Sequence, residues 1–222
     1  MKADHKSEYS RLFTRLGFPV SKKDGIPAAQ LTKAENKLGI QLPKALRDYY
    51  LVACKEKIFN HSFNRLCSPS DWEVHSGKLI FFEENQTVVV WGVPASKGAA
   101  SDPVVFQCPL VRGELDKWYS EKIRCSEFLK FMIHLQAAYG GGMPFTASAP
   151  MANEHSLKLK SDWEFGGEVN GMRAFSMQDR VVCVTKWQDF GSDRKTWRVF
   201  AGAKSKDRLD AIAADLGINW DS

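Results

Sequence analysis

The sequence has no Cys-x-x-Cys pair, no GxSxG nucleophile elbow, no Gly-rich loop followed by GK[ST] and no GxGxxG. These absences leave a serine hydrolase of the α/β type, a P-loop nucleotide binder and a dinucleotide enzyme without their usual sequence signals. No apolar run approaches the roughly 18 residues that a membrane helix needs. The first residues, Met1-Lys2-Ala3-Asp4-His5-Lys6, are followed by no apolar stretch, so no secretory leader is expected. Cysteine is scarce and odd in number. Cys54, Cys67, Cys108, Cys125 and Cys183 are dispersed, which fits reduced thiols in a cytoplasmic protein better than a disulfide framework.

What is present is an ordinary globular composition in 222 residues, enough for one large core or a core with an appended lobe. The net charge of +5 is uneven. Residues 1–60 carry twelve Lys/Arg against six Asp/Glu, and the rest of the chain is near balance at −1. The N-terminal lysines are interspersed with core positions and form no dense block. They read as solvated helix faces, and nucleic acid is not the expected partner.

Apolar periodicity sets out the elements. Tyr9, Leu12, Phe13 and Leu16 predict a first amphipathic helix stopped by Gly17. A second helix is expected over 27–38, with Gly39 as its left-handed stop and Thr32/Glu35 as a capping box should it start late. A third runs from Pro43 to about residue 53 on Leu46, Tyr49, Tyr50 and Ala53. Residues 54–77 read as a long connection with a turn at 68–71. The phrase LIFFEENQTVVVWGV (79–93) reads as strand, polar turn at 83–86, strand, with Trp91 buried. A short strand over 104–107 and a helix capped by Ser126 running to about 139 follow. Gly140-Gly141-Gly142 is the best candidate boundary. Beyond it come a loop, strands over 171–177, 180–187 and 196–201, and a closing helix between Ser205 and Gly217. Three segments result: 1–27, an N-terminal helix and loop; 28–142, a core; and 143–222, a β-rich extension with a closing helix, packed on the core as one unit.

Signals for chemistry are weak. Glu83-Glu84 are adjacent in a turn and do not face each other across the gap that paired-carboxylate catalysis needs. Cys54, His61, Cys67 and His75 have metal-binding atoms, but their spacings match no common zinc arrangement. His134 falls inside a helix and reads as a structural histidine. The aromatic and basic residues over 187–208 are diluted by Asp189, Asp193, Asp207 and Asp210 and read as β-lobe packing. No catalytic residue, metal ligand or cofactor is assigned, and the chain is not expected to be an enzyme.

The succession LTKAENKLGIQLPKALRDYY, SPSDW (68–72), LIFFEENQTVVVWGV, DPVV (102–105) and CSEFLKFMI (125–133) resembles the SUKH superfamily, the group typified by a yeast cell-wall assembly regulator and by many bacterial toxin-immunity proteins. The resemblance covers residues 28–140. It implies an α+β fold, a curved, largely antiparallel sheet with helices packed around it. It implies that Gly39 and Pro43 set a helix junction, that Trp91 fills the core, and that the Asn85 and Gln86 side chains satisfy turn backbone groups. For function it implies a cytoplasmic immunity protein, monomeric or weakly self-associating, that neutralises a toxin domain by direct contact. A regulatory scaffold of the cell-wall-regulator type and an enzyme of unrecognised kind stay open beside it. The acidic turn gives the candidate contact set: Glu83, Glu84, Asn85 and Gln86, with Trp72 as an aromatic anchor if its ring is exposed.

Overall fold

A computed structural model describes residues 4–98, 100–139, 142–151, 163–188 and 195–221. Among them are six helices and twelve strands in two antiparallel sheets, an α+β fold.

Helix α1 (His5–Arg15) is started by Asp4, whose carboxylate accepts from the Ser7 N–H, and it buries Tyr9, Leu12 and Phe13 at helical spacing. Helix α2 (Ala28–Leu38) follows Pro27 and ends at Gly39, where φ of +67° suits glycine. Because α2 starts before Thr32, the capping box does not form. The Thr32 hydroxyl donates to the Ala28 carbonyl. Glu35 is used further along: it accepts from the Leu42 N–H at 2.8 Å and pairs with Arg47 of α3 (Lys44–Ala53). The Gly39–Pro43 junction is therefore fastened by a buried carboxylate as well as by turn residues.

The segment 54–77, expected as a connection, contains α4 (Lys57–His61), β1 (Arg65–Leu66) and β2 (Glu73–His75). Both strands hydrogen-bond along one edge of β3 (Lys78–Glu83), whose other edge carries β4 (Val89–Pro94). A bulge between Ile80 and Phe82 breaks the alternation of β3, and Leu79, Ile80, Phe81 and Phe82 are all buried. Trp91 is 7% exposed and packs on both Phe82 and Phe128. Strands β5 (Val104–Val111), β6 (Glu114–Leu115) and β7 (Tyr119–Arg124) complete the first sheet.

Helix α5 (Cys125–Ala138) is buried on nearly every side. Ser126 lies within it and is not the cap. Asp102 supplies the acceptor instead, taking the Ser126 N–H at 2.9 Å and its hydroxyl at 2.6 Å. The second sheet covers the opposite side of α5 in the order β8 (Phe145–Met151), β12 (Lys195–Ala203), β11 (Arg180–Gln188), β10 (Met172–Met177), β9 (Glu164–Val169). One apolar core joins Phe131 and Leu135 of α5 to Val169, Val181, Cys183 and Phe200 of that sheet. The second sheet thus packs on α5. Gly140 and Gly141 of the expected boundary, and residues 189–194 between two of the expected strands, lie outside the described residues. Helix α6 (Lys206–Leu216), capped by Ser205 and stopped at Gly217, closes a second apolar cluster on the far face with Val182, Val184 and Val199.

Candidate functional site

The β3–β4 turn is rigid, and its rigidity comes from residues other than those expected. Glu84 N–H donates to Val89 O and Thr87 N–H to Glu84 O, both at 2.9 Å. The Glu84 carboxylate accepts from the Gln86 N–H at 2.7 Å, and Asn64 Oδ1 accepts from the Asn85 N–H at 3.2 Å. Glu84 and Asn64 therefore satisfy the turn backbone, correcting the role assigned to the Asn85 and Gln86 side chains. Those two residues are exposed at the tip beside Thr87 and Val88. Glu83 faces Arg65 at 3.1 Å, and Arg65 also donates to Thr87 Oγ1. That clamp ties the tip to β1.

Trp72 does not join the turn. It is 6% exposed, its ring stands edge-on to Tyr50, and its indole N–H donates to the Tyr50 hydroxyl at 2.9 Å. Tyr50 in turn donates to the Cys67 carbonyl at 2.6 Å. An indole held in a buried chain of hydrogen bonds is a core element, so the reading of Trp72 as an exposed anchor is corrected. Its neighbours are the useful part. Asp71 and Glu73 point outward on either side of it.

Those two carboxylates and Glu83 rim a trough of about 310 Å³ on the outer side of the first sheet. Ile80, Val90, Leu110 and Leu115 line its apolar part. The Cys67 thiol lies in the same trough. Its pKa is pushed up to about 12, first by burial and then by the Glu83 and Asp71 carboxylates. The thiol thus registers the negative field and is held in its neutral, unreactive form. An acidic rim around an apolar floor can receive an apolar side chain flanked by Lys or Arg.

A second polar cluster lies between α1, α5 and β9. His134 Nδ1 is 2.7 Å from the Lys130 carbonyl, so that nitrogen carries the proton. Nε2 then accepts from the Ser176 hydroxyl at 3.0 Å. The polarity is that of a base and a hydroxyl nucleophile. Both residues are buried, however, at 2% and 1% exposure, and Gly166 lies flat over the imidazole. Burial lowers the His134 pKa to about 4. The pair fastens α5 to β10. Glu121, whose pKa burial raises, holds the Trp91 indole N–H at 2.8 Å and hydrogen-bonds the Asn170 side chain.

Among the described residues, no group of three or more His, Cys, Asp or Glu is placed to hold a metal ion, and no helix is long and apolar enough to cross a membrane. All five cysteines are free. Compared with known proteins, the chain matches no family model, no curated protein and no solved structure.

Sequence reading brought together the four turn residues. It missed Asp71 and Glu73 as rim carboxylates, although the triplet Asp71-Trp72-Glu73 carries the out–in–out alternation of an edge segment. It also missed Asn64, whose role depends on a turn 21 residues away.

Proposed function

We propose that this chain acts by binding rather than by turnover, and that it is a cytoplasmic immunity protein that neutralises a toxin domain through direct protein–protein contact. The observation that carries the reading is the acid-rimmed, apolar-floored trough beside the rigid hairpin tip. It lies on a chain whose overall charge is positive, so its acidity is a local property. The order of motifs shared with the SUKH superfamily supports the same class. The partner face that fits is basic with an apolar centre, and a basic nuclease domain has that chemistry. Glu83, Asp71 and Glu73 steer the approach, and Ile80, Val90, Leu110 and Leu115 receive the apolar contact.

The test is co-expression with a basic toxin domain sought among the neighbouring genes, followed by titration of the two purified proteins. The expected outcome is protection of the cells and a one-to-one complex. Cells that die despite soluble, folded protein, together with no complex in the titration, would overturn the reading.

A further inference from the structure

A second concavity lies where α5 meets both sheets. It is a cleft of about 370 Å³. Its walls are rings: Phe63, Trp91, Tyr139 and Trp187, with Met132 and Leu135 of α5 beneath. The rings are held in place. Tyr139 stands edge-on to Phe63 with centroids 4.7 Å apart and lies 6.4 Å from Trp187, while Glu121 anchors the Trp91 indole.

Two buried donors in this cleft are poorly used. Asn64 is 2% exposed. Its Oδ1 is committed to the Asn85 N–H, which fixes the amide orientation and turns Nδ2 the other way. There its acceptor among the described residues is the Met132 thioether at 3.9 Å, a weak one. Asn64 cannot move to find a better one. Gln136 grips its backbone from both ends, accepting from N–H at 2.9 Å and donating to C=O at 2.6 Å. Thr185 is 8% exposed, and its hydroxyl reaches only the carbonyl of its neighbour Lys186 at 3.4 Å. Buried polar groups are ordinarily well paired, and two weakly paired donors in one aromatic-walled cleft point to an acceptor that arrives from outside.

The cleft offers such an acceptor no charge. Lys186 is the one residue of its lining that carries a formal charge at neutral pH, and strand alternation sends its ammonium to the opposite face of the sheet, 5.4 Å over the Trp197 ring. The volume lies at the low end of the roughly 300–1,000 Å³ range of small-molecule sites. We propose that this cleft binds a small, uncharged, planar heteroaromatic molecule. Its faces lie against the ring walls; a ring nitrogen, with one lone pair, accepts from the Thr185 hydroxyl, and a carbonyl oxygen, with two, also accepts from Asn64 Nδ2. The proposal does not depend on the immunity reading.

The probe is quinoline, neutral at pH 7.5, with naphthalene as the isostere that lacks an acceptor. Titration is followed by tryptophan fluorescence and by the indole N–H resonances of Trp91 and Trp187. The expected result is saturable, one-to-one quinoline binding that shifts both resonances, with naphthalene weaker by roughly five- to tenfold, the worth of a buried hydrogen bond. Thr185→Val, which keeps the shape and breaks only the 3.4 Å contact, weakens quinoline by a similar factor and leaves naphthalene unchanged. Met172 lines the cleft, and Met172→Trp, which fills it, abolishes both. No saturable change with quinoline at low-millimolar concentration overturns the proposal. So does binding that ignores the acceptor and Thr185→Val, or binding that persists in a folded Met172→Trp variant. Loss of toxin neutralisation in Met172→Trp, with no quinoline binding to the native chain, assigns the cleft to a protein side chain and also overturns it.

Discussion

Helix α5 is gripped by two sheets in opposite ways. On the first-sheet side the contact is made of bulk. Phe128 meets Phe81, Phe82 and Trp91 with ring centroids 5.7–6.3 Å apart, mostly edge to face. On the second-sheet side apolar packing is joined by close approaches that depend on leaving side chains out. A Cβ on Gly166 would lie 2.4 Å from the His134 ring, and one on Gly202 would lie 2.5 Å from the Ala137 carbonyl oxygen. The polar fastenings differ as well. Toward β1 the helix offers Gln136, a neutral amide that exchanges two hydrogen bonds with the Asn64 backbone. Toward β10 it offers His134, which titrates. Of these two fastenings, the Gln136 amide carries no titratable group and the His134 imidazole does.

Removing bulk gives the largest effect. Phe128→Ala opens a cavity beneath three aromatic rings and should cost about 3–5 kcal/mol of unfolding free energy, measured by urea denaturation. A loss below about 1 kcal/mol would mean that the first sheet does not rest on α5 as described.

Acid sharpens the contrast. The His134 pKa is lowered from 6.5 to about 4 chiefly by burial; the hydrogen bond to the Lys130 carbonyl and the Glu164 carboxylate oppose, and the Lys130 and Arg15 charges assist. The folded state thus binds fewer protons than the unfolded state between those values. Stability contributed by the neutral imidazole is complete above pH 6.5 and is lost as pH falls toward 4. The total loss from this group is about 3 kcal/mol. Urea midpoints measured from pH 7 downward should fall across that window. His134→Gln should flatten the fall. An unchanged slope in that variant would place the titrating group elsewhere.

Crowding the glycine side is the next step down. Gly202→Ala sets a methyl against a helix carbonyl, and backbone must shift to admit it. The expected cost is about 1–3 kcal/mol. Amide exchange should rise in β11 and β12 more than in β3 and β4, because only the second sheet is pushed away. Equal rises in both sheets would show that they do not respond separately.

The same contrast explains what could be read from the sequence. Bulk is visible in a sequence. The Leu79–Phe82 and Val88–Trp91 runs and the apolar periodicity of α1, α3, α5 and α6 mark their own elements. Omission is not. Gly166 and Gly202 are ordinary glycines until the helix that passes over them is known. Strands β1, β2 and β6 are two or three residues long and owe their conformation to a neighbouring strand, not to their own polar residues. β7, Tyr-Ser-Glu-Lys-Ile-Arg, is a charged edge that resembles a loop. The acidic turn was legible because its charges are contiguous. The trough was not, because Asp71, Glu73 and Glu83 meet only after β2 and β1 fold onto β3.

The smallest effect on stability belongs to the turn, and there the comparison passes from folding to binding. Glu83→Lys with Glu84→Lys breaks the 3.1 Å pair with Arg65 and the Glu84 contact to the Gln86 N–H. Exposed pairs of this kind contribute little, so unfolding free energy should change by about 1 kcal/mol or less. Under the proposed function, binding of a basic toxin domain should respond far more. Reversing one charge at the rim and one in the adjoining turn weakens the field that steers encounter, so association should slow several-fold at low salt and lose much of its dependence on ionic strength. Dissociation should change less, because the apolar floor of Ile80, Val90, Leu110 and Leu115 is untouched. Leu110→Arg probes that floor from a half-buried position and should do the converse, speeding dissociation with a smaller effect on encounter. Association rates that are the same for the native chain and the double-lysine variant would remove the turn from the interface. A trough whose Leu110→Arg variant dissociates no faster would remove the outer face of the first sheet with it.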